Sequence, residues 1–417
     1  MKIWFFLLLL FGGSVLKANH IFIPMDATQT NHLKAYGTAY QSLKNGYEIQ
    51  WLINYRGGSF VLPFTAEART ECLLKGITFE VIPDARLNSI LAEIASPEVN
   101  ADAVKLEKAP RIAVYSPKEK KPWDDAVTLA MTYAEIPYDV VYDREVLDGK
   151  LKEYDWLHLH HEDFTGQLGK FYRSYRHLDW YKEEERVNLQ TAKMYGYTKI
   201  SELKKAVVRK IRDYVESGGF MFAMCSATDT YDIALAAMDV DICASVFDGD
   251  PADPDAQAKL DFSKTFAFQD FKLEMNPNVY EYSDIDVTDN RKMREGDDYF
   301  VLFEFSAKWD PVPTMLCQNH ENMIKGFMGQ TTAFRKDRIK SSVLVMGENK
   351  VANEARYIHG EYGKGTWTFY GGHDPEDYQH LVGDPVTELD LHKQSPGYRL
   401  ILNNVLFPAA KKKQHKT

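Results

Sequence analysis

The chain has little that could crosslink it or hold it in a membrane. Only four of its 417 residues are cysteine (Cys72, Cys225, Cys243 and Cys317), and they stand far apart. This spacing excludes the disulfide framework of small secreted domains. After the first eighteen residues no apolar run is long enough to span a bilayer. With 45% hydrophobic and 26% charged residues, the remainder has the composition of a globular protein with a sizeable core.

An excess of basic residues is also absent. The chain has 50 Lys and Arg against 60 Asp and Glu, for a formal net charge of -10. Proteins that bind nucleic acid do so largely by neutralising phosphates, so we expect no nucleic-acid partner. A basic tail at residues 409–417 is too short to change this balance, and the partner we expect is a small-molecule substrate.

The N-terminus has the order of a secretory signal peptide. Lys2 is followed by an apolar run at 3–11 and by the small residues Gly12, Gly13 and Ser14. Such a run is too short for a membrane helix, but it is typical of a cleaved leader. We therefore expect residues 1–18 to be removed and the mature chain to be exported to the periplasm or the cell exterior. No integral membrane segment is predicted in that mature chain.

Apolar strand patterns alternate with helical patterns along the rest of the chain, which predicts an α/β fold with parallel sheets. The alternation runs over residues 19–96, a small N-terminal α/β unit, and restarts at Arg111 to continue to about residue 408. The charged stretch 97–110 between them has the composition of a linker. A polar and aromatic insertion is predicted at about 164–198.

One strand-to-helix junction has the sequence of a nucleophile elbow. Gly218 and Gly219 precede the apolar strand Phe220–Met224, and Cys225 follows directly, before the small residue Ser226 and a helical pattern. Such a turn lifts the thiol above the sheet and directs the helix amides towards it. These amides, that of Ser226 included, could stabilise a thiolate or an oxyanion. The alternative is that Cys225 is a packed small hydrophobic residue.

A second group of candidate residues follows a strong strand at 366–370. The sequence there reads His373-Asp374-Pro375-Glu376. A thiol nucleophile needs an imidazole base, and the base needs a carboxylate to orient it. We therefore predict His373 as the base, with Glu376 as its orienting carboxylate and Asp374 as an alternative that could also contact substrate.

Histidines and carboxylates cluster where a third strand ends, in the order His158, His160, His161, Glu162 and Asp163. Strand alternation places His158 and His160 on one face and His161 on the other. We predict that His160, His161 and Glu162 bind substrate, and that amides of the 161–163 loop complete the oxyanion site. The cluster could instead hold zinc with His373 in a metal-dependent hydrolase. Its spacing matches no established metal signature, so no cofactor is predicted.

These motifs give the segment 111–408 a resemblance to the class I glutamine amidotransferases. Those enzymes carry their cysteine in such an elbow and end a late strand with His-Pro-Glu. Residues 362–373, with Gly-Lys-Gly before Gly-His, are similar to the ThuA-like branch of the superfamily. The resemblance implies a flavodoxin-like sandwich and a triad of Cys225, His373 and Glu376. This chain departs from the family by the inserted Asp374 and by the lack of glycines flanking Cys225.

The whole chain, including residues 25–37, also resembles an exported bacterial family labelled asparagine synthetase B. ATP-dependent synthetases of that name use an N-terminal cysteine and a Ser-Gly-Gly-x-Asp-Ser loop, whereas Ser217-Gly218-Gly219 continues here as Phe-Met-Phe. We therefore expect no such synthetase activity. The leading hypothesis is an exported thiol-dependent hydrolase or amidohydrolase acting on a small amide, peptide or sugar-derived substrate. The alternative is a non-catalytic ThuA-like carbohydrate-binding or accessory protein.

Overall fold

A computed structural model describes residues 19–117, 125–288, 293–310, 314–315, 321–381 and 383–410. The predicted signal peptide and the lysines of the basic tail lie outside these ranges. Within them the strands, in chain order, are β1 Asn19–Ile23, β2 Ile49–Ile53, β3 Ser59–Pro63, β4 Glu80–Pro83, β5 Asp102–Leu106, β6 Ile112–Tyr115, β7 Asp139–Val141, β8 Trp156–Leu159, β9 Phe220–Met224, β10 Tyr299–Leu302, β11 Met323–Lys325, β12 Phe334–Arg335, β13 Leu344–Asn349, β14 Glu354–Tyr362 and β15 Gly365–Tyr370.

The helices of the described ranges alternate with these strands. They are α1 His32–Lys44, α2 Ala66–Leu74, α3 Asp84–Ala95, α4 Ala126–Ala134, α5 Asp143–Leu147, α6 Tyr172–Tyr175, α7 Asp179–Met194, α8 Ile200–Glu216, α9 Ser226–Ala236, α10 Ser245–Asp248 and α11 Pro396–Leu406. The α/β class predicted from the sequence is confirmed. Among the described helices, none is both long and apolar enough to cross a bilayer.

The N-terminal sheet has the strand order β4-β1-β3-β2-β5, and every neighbouring pair is antiparallel. The predicted parallel pairing is therefore wrong for this sheet. Helices α1 and α2 do connect strands that run in the same direction. However, the tight β2–β3 connection reverses the chain, so each such pair has an antiparallel strand between its members. Strand β5 lies within the predicted linker and pairs with β2.

The second sheet has the order β11-β10-β13-β14-β15-β9-β8-β6-β7, with β12 paired to β14. Its parallel part, from β15 to β7, has the strand order 2-1-3-4-5, one of the orders of doubly wound sheets. The antiparallel part is an extension built on the β14–β15 hairpin. In doubly wound sheets ligands bind outside the carboxyl ends of the parallel strands.

Helix α8 and strand β9 set the position of Cys225. The apolar face of α8, formed by Leu203, Val207, Ile211 and Val215, is fully buried. Gly218 then turns the chain with φ 121°, a left-handed value that glycine adopts without strain. All five residues of β9 are buried, so the strand is central and its last residue delivers Cys225 to the edge where ligands bind.

The N-terminal unit and the main sheet share one hydrophobic core. Helix α1 packs on both α4 and α11, and Gly37 allows the closest approach, because a Cβ there would lie 1.7 Å from the Ala134 carbonyl oxygen. Arg399 of α11 is fully buried and donates hydrogen bonds to Tyr36 Oη and the Met25 carbonyl, each at 2.9 Å. The two sheets are thus joined by buried polar contacts as well as by packing.

Candidate functional site

The carboxyl ends of β8, β9 and β15 meet at one edge of the main sheet. They bring together three residues predicted from the sequence, His160 after β8, Cys225 after β9 and His373 after β15. All three are buried, at 1%, 3% and 4% exposure. One nitrogen of each imidazole and the Cys225 sulfur all lie within 4.8 Å of one another. This cluster, named here the thiol–histidine site, is the centre of the candidate site.

Cys225 has a strained backbone. It adopts φ 50° and ψ -140°, a combination that a non-glycine residue seldom takes and that costs about 1–3 kcal/mol. The conformation is fixed by neighbouring strands, since the Cys225 amide donates to the Gly372 carbonyl at 3.2 Å and the Ala227 amide donates to the His160 carbonyl at 2.8 Å. The thiol therefore lies at the start of α9, as the elbow prediction requires.

The two histidines of the site are directly hydrogen-bonded. His160 Nε2 lies 3.1 Å from His373 Nδ1, so one of these nitrogens carries a hydrogen and the other accepts it. The outer face of the His373 ring stacks on His380, with centroids 4.5 Å apart and planes at 20°. The imidazole pair is thereby held in one orientation beside the thiol.

The carboxylate that the structure brings to these histidines is Asp125, which was not among the predicted site residues. Asp125 is the N-cap of α4 and accepts a hydrogen bond from the Val127 amide at 2.7 Å. Its carboxylate also lies 3.1 Å from His160 Nδ1 and 3.0 Å from His158 Nε2. Burial alone raises the pKa of Asp125, but His158 and His160 outweigh this effect and hold the pKa well below its usual range.

The hydrogen bonds of His158 connect the end of β8 to two neighbouring elements. Its Nδ1 lies 3.1 Å from the Phe222 carbonyl oxygen, and its Nε2 lies 3.0 Å from an Asp125 carboxylate oxygen. His158 and His160 both contact the Asp125 carboxylate, so the two imidazoles lie on the same side, as predicted.

Burial displaces the pKa values of the residues that follow β8. It lowers the pKa of His160 to about 4, against the opposing effect of Asp125. Burial also lowers the pKa of His161, helped by His160 and His373. Burial, together with the Asp125 charge, raises the pKa of Glu162 to about 8. At neutral pH the residues that follow β8 thus include two neutral imidazoles, His160 and His161, and a protonated carboxyl group, Glu162.

His161 lies on the same side as the thiol, although strand alternation predicted the opposite face. Strand β8 ends at Leu159, so the alternation does not extend to His161, whose ring centroid lies 6.2 Å from that of His373. Glu162 accepts a hydrogen bond from the His160 amide at 3.3 Å. Ser226 is fully buried at the first position of α9, where its main chain borders Cys225.

The carboxylates predicted to orient His373 are engaged elsewhere. Glu376 Oε2 lies 3.0 Å from His392 Nδ1. Asp374 accepts hydrogen bonds from Tyr398 Oη at 2.7 Å and Thr387 Oγ1 at 2.9 Å. Asp374 therefore connects the turn after β15 to α11 through its hydrogen bond with Tyr398. With Asp374 inserted, Glu376 is directed towards His392.

A loop at residues 327–332, about which the sequence analysis made no prediction, completes the surroundings of the thiol. The Gln330 amide donates to Cys225 Sγ at 3.3 Å. The Met328 carbonyl accepts from the His373 amide at 2.9 Å. Gly329 permits this approach, since a Cβ there would lie 2.8 Å from the His373 nitrogen. The contacts join distant parts of the chain, so no local sequence pattern could have identified them.

The thiol–histidine site opens into a cavity of about 590 Å³. Part of its wall comes from the predicted insertion, where Phe171 and Tyr175 are in contact with each other and Phe171 with Tyr280. Lys170 also lines it, and burial lowers the pKa of this residue to about 8. A smaller enclosed space of about 60 Å³ lies on the other side of His161. The larger cavity is of a size that suits a small molecule.

The chain matches no protein-family model and no curated protein. Among solved structures, two cytoplasmic proteins of Salmonella typhimurium align along 100% of their own length and 72% of this chain. Their identities are 11% and 12% and their TM-scores 0.37 and 0.33. A catalytic mutant of a GH42 β-galactosidase of G. stearothermophilus aligns over 63% of this chain and 27% of its own, with 11% identity and a TM-score of 0.25. Similarities with TM-scores this low are not evidence for function.

Proposed function

We propose that this protein is a thiol-dependent hydrolase or amidohydrolase with Cys225 as its nucleophile. The observation that supports this most strongly is the strained backbone of Cys225, φ 50° and ψ -140°, with two imidazoles whose nitrogens lie within 4.8 Å of the sulfur. A cysteine that merely fills a core gains nothing from such a conformation, whereas strain of this kind is concentrated at functional sites.

The contacts between Asp125, His160 and His373 give each group a role. The Asp125 carboxylate lies 3.1 Å from His160 Nδ1, so it favours the tautomer with its hydrogen there, and the lone pair of Nε2 then faces His373. The Nδ1 hydrogen of His373 then points to His160, and we assign its Nε2 as the atom that takes the thiol proton. His373 acts as the general base, and Asp125 is a positioning residue that acts through His160.

The reaction that follows is acyl transfer. The Cys225 sulfur attacks the carbonyl carbon of the substrate, its proton passes to His373, and a tetrahedral oxyanion forms. Main-chain amides at Ser226 and in the 161–163 loop would stabilise that oxyanion. When the intermediate collapses, the amine leaves with the proton from His373. Water, deprotonated by the same imidazole, then cleaves the thioester to a carboxylic acid and the free thiol.

The substrate we propose is a small amide, peptide or sugar-derived molecule. The cavity above the thiol holds about 590 Å³ and combines aromatic walls, Phe171, Tyr175 and Tyr280, with polar groups. The Gln330 side-chain amide donates a hydrogen bond to the Gly169 carbonyl oxygen at 2.7 Å. This side chain therefore stabilises the cavity wall and does not bind the substrate. We also propose, from the N-terminal sequence, that the mature protein is exported.

The test is a comparison of three proteins. Wild type, Cys225→Ala and Cys243→Ala are assayed against a panel of small amides and peptides, with release of the amine as the readout. Cys243 is also fully buried but lies outside the thiol–histidine site, so its variant is the matched control. We expect Cys225→Ala to lose activity at least 10³-fold and Cys243→Ala to retain it.

A second measurement needs no known substrate. Iodoacetamide should alkylate Cys225 of the native protein faster than the other cysteines, and unfolding should abolish the difference. Uniform alkylation, or full amine release by Cys225→Ala, would rule out the thiol mechanism. The protein would then fit the other function class, a non-catalytic ThuA-like carbohydrate-binding or accessory protein in which Cys225 is packed.

A further inference from the structure

We infer that the thiol–histidine site also binds one thiophilic divalent cation, Zn²⁺ being the best fit, through Cys225, His160 and His373. A thiolate and two neutral imidazoles are the ligands that zinc prefers in proteins. Their donor atoms already lie within 4.8 Å of one another in a buried cluster. This inference does not depend on Cys225 being a nucleophile.

The distance between the imidazoles fits a shared ion. His160 Nε2 and His373 Nδ1 are 3.1 Å apart. Two nitrogens on a tetrahedral zinc, each about 2.0–2.1 Å from the metal, lie about 3.3 Å apart. Small movements would therefore suffice to place the ion between them. In that state both nitrogens present lone pairs, and the hydrogen of His373 resides on Nε2.

Asp125 provides the outer support that zinc sites have. A zinc-bound histidine usually donates its second ring nitrogen to a carboxylate, which fixes its tautomer. His160 Nδ1 lies 3.1 Å from Asp125 Oδ1, and Asp125 is anchored by the amides of α4 and by His158. The orientation of His160 is therefore set before any ion arrives.

Access and charge also favour the ion. Cys225 and His373 line the 590 Å³ cavity, so one coordination position would face water. Binding replaces the thiol hydrogen by the metal and releases one proton to solvent. The ammonium of Lys170, one cation of the cavity wall, donates a hydrogen bond to the Glu274 carbonyl oxygen at 2.6 Å.

Another cluster of possible ligands is already neutralised. Asp241, Cys243 and Asp248 also have donor atoms within 4.8 Å of one another. The Lys199 ammonium lies 2.6 Å from Asp241 and 3.3 Å from Asp248, which is where a cation would bind. Cys243 is thus the appropriate control for metal binding by Cys225.

A bound ion would switch the thiol off. The sulfur lone pair and the proton acceptor His373 would both be held by the metal, so neither could take part in acyl transfer. Metal-free and metal-loaded protein would then differ in thiol reactivity while sharing one fold.

The experiment is a Co²⁺ titration of the full chain, followed by displacement with Zn²⁺. We expect one Co²⁺ per chain, with a thiolate-to-cobalt charge-transfer band that stoichiometric Zn²⁺ abolishes. Cys225→Ser should lose the band and Cys243→Ser should keep it. Asp125→Asn should keep the band but weaken affinity roughly 10- to 100-fold. Absence of the band in wild type, or its persistence in Cys225→Ser, would overturn the inference.

A parallel measurement covers the case in which the Cys225 variant does not fold. In the wild-type protein, stoichiometric Zn²⁺ should slow the alkylation of Cys225, and a chelator should restore the rate. Peptide mass spectrometry measures the alkylation. Unchanged alkylation would reject the site. Neither readout uses hydrolase activity, so failure of the proposed hydrolysis and failure of the metal site are distinguishable.

Discussion

Around the thiol, burial shifts the pKa values of single ionisable residues in opposite directions. The pKa of His160 is lowered to about 4 and that of Glu162 raised to about 8, in both cases chiefly because burial disfavours the charged form. The two groups therefore give opposite dependences of stability on pH. Stability from His160 is lost as pH falls from about 6.5 to about 4, and stability from Glu162 is lost as pH rises from about 4.5 to about 8.

The Glu162 side chain gives a measurable consequence. Its native pKa of about 8 exceeds the ordinary value of 4.5, so the folded state holds an extra proton between these values. Stability from this group is present below pH 4.5 and is lost as pH rises to about 8. Glu162→Gln, which stays neutral, should raise the melting temperature at pH 9 by roughly 3 °C or more relative to pH 5.

The matched control is the exposed Glu361→Gln, whose effect should be the same at both pH values. Melting followed by circular dichroism at pH 5 and pH 9 is sufficient for both variants. An effect of Glu162→Gln that is equal at the two pH values would show that this carboxyl group is not protonated in the native state.

Among the structural elements, the 327–332 loop contacts the thiol through a backbone amide. It has no regular secondary structure, yet it approaches β15 through Gly329 and directs the Gln330 amide at Cys225. The position of this loop depends on tertiary contacts, because the loop has no regular backbone hydrogen bonds of its own.

Gly329→Ala should displace this loop. The new Cβ would lie 2.8 Å from the His373 nitrogen and 2.9 Å from the Gly372 carbonyl carbon. Moving these backbone atoms to make room would cost free energy. We expect a loss of about 1–3 kcal/mol in the free energy of unfolding and slower alkylation of Cys225. Denaturant unfolding and mass spectrometry measure the two effects.

Gly296→Ala is the control for this substitution, because a Cβ at Gly296 meets nothing within 4 Å. It should leave both stability and alkylation unchanged. If Gly329→Ala behaved like Gly296→Ala, the loop would not determine the environment of the thiol.

The protein as a unit is held together by the buried contacts between its two sheets. Arg399 is 0% exposed and donates to Tyr36, Met25 and Gly57. Because its partners belong to the N-terminal unit, the two units are expected to unfold together rather than in sequence.

Arg399→Met should therefore destabilise the entire chain. The variant removes the Arg399 donor from the Gly57 and Met25 carbonyl groups and from Tyr36 Oη, at a cost on the order of 3 kcal/mol. Calorimetry should show one transition in the wild type and one, at lower temperature, in the variant. The exposed Arg209→Met should melt like wild type, and two separate wild-type transitions would contradict a common core.

Strong local patterns made several parts of the fold predictable. The apolar strand Phe220–Met224 is found with the predicted bounds, because a short apolar run between Gly-Gly and a helical pattern has few other interpretations. Cys225, His160 and His373 were predicted for the same reason, since each lies within three residues of the end of such a strand. Parallel strands end at one edge, and this suffices to bring chemically active residues together.

Contacts between segments far apart in the chain could not be predicted from the sequence. Asp125 is the N-cap of α4, and only the tertiary structure makes it the partner of His158 and His160. Glu376 fits a triad motif, yet one inserted residue turns it to His392. Side-chain direction at a turn depends on every neighbour in space, so tertiary structure decided which carboxylate supports the thiol–histidine site.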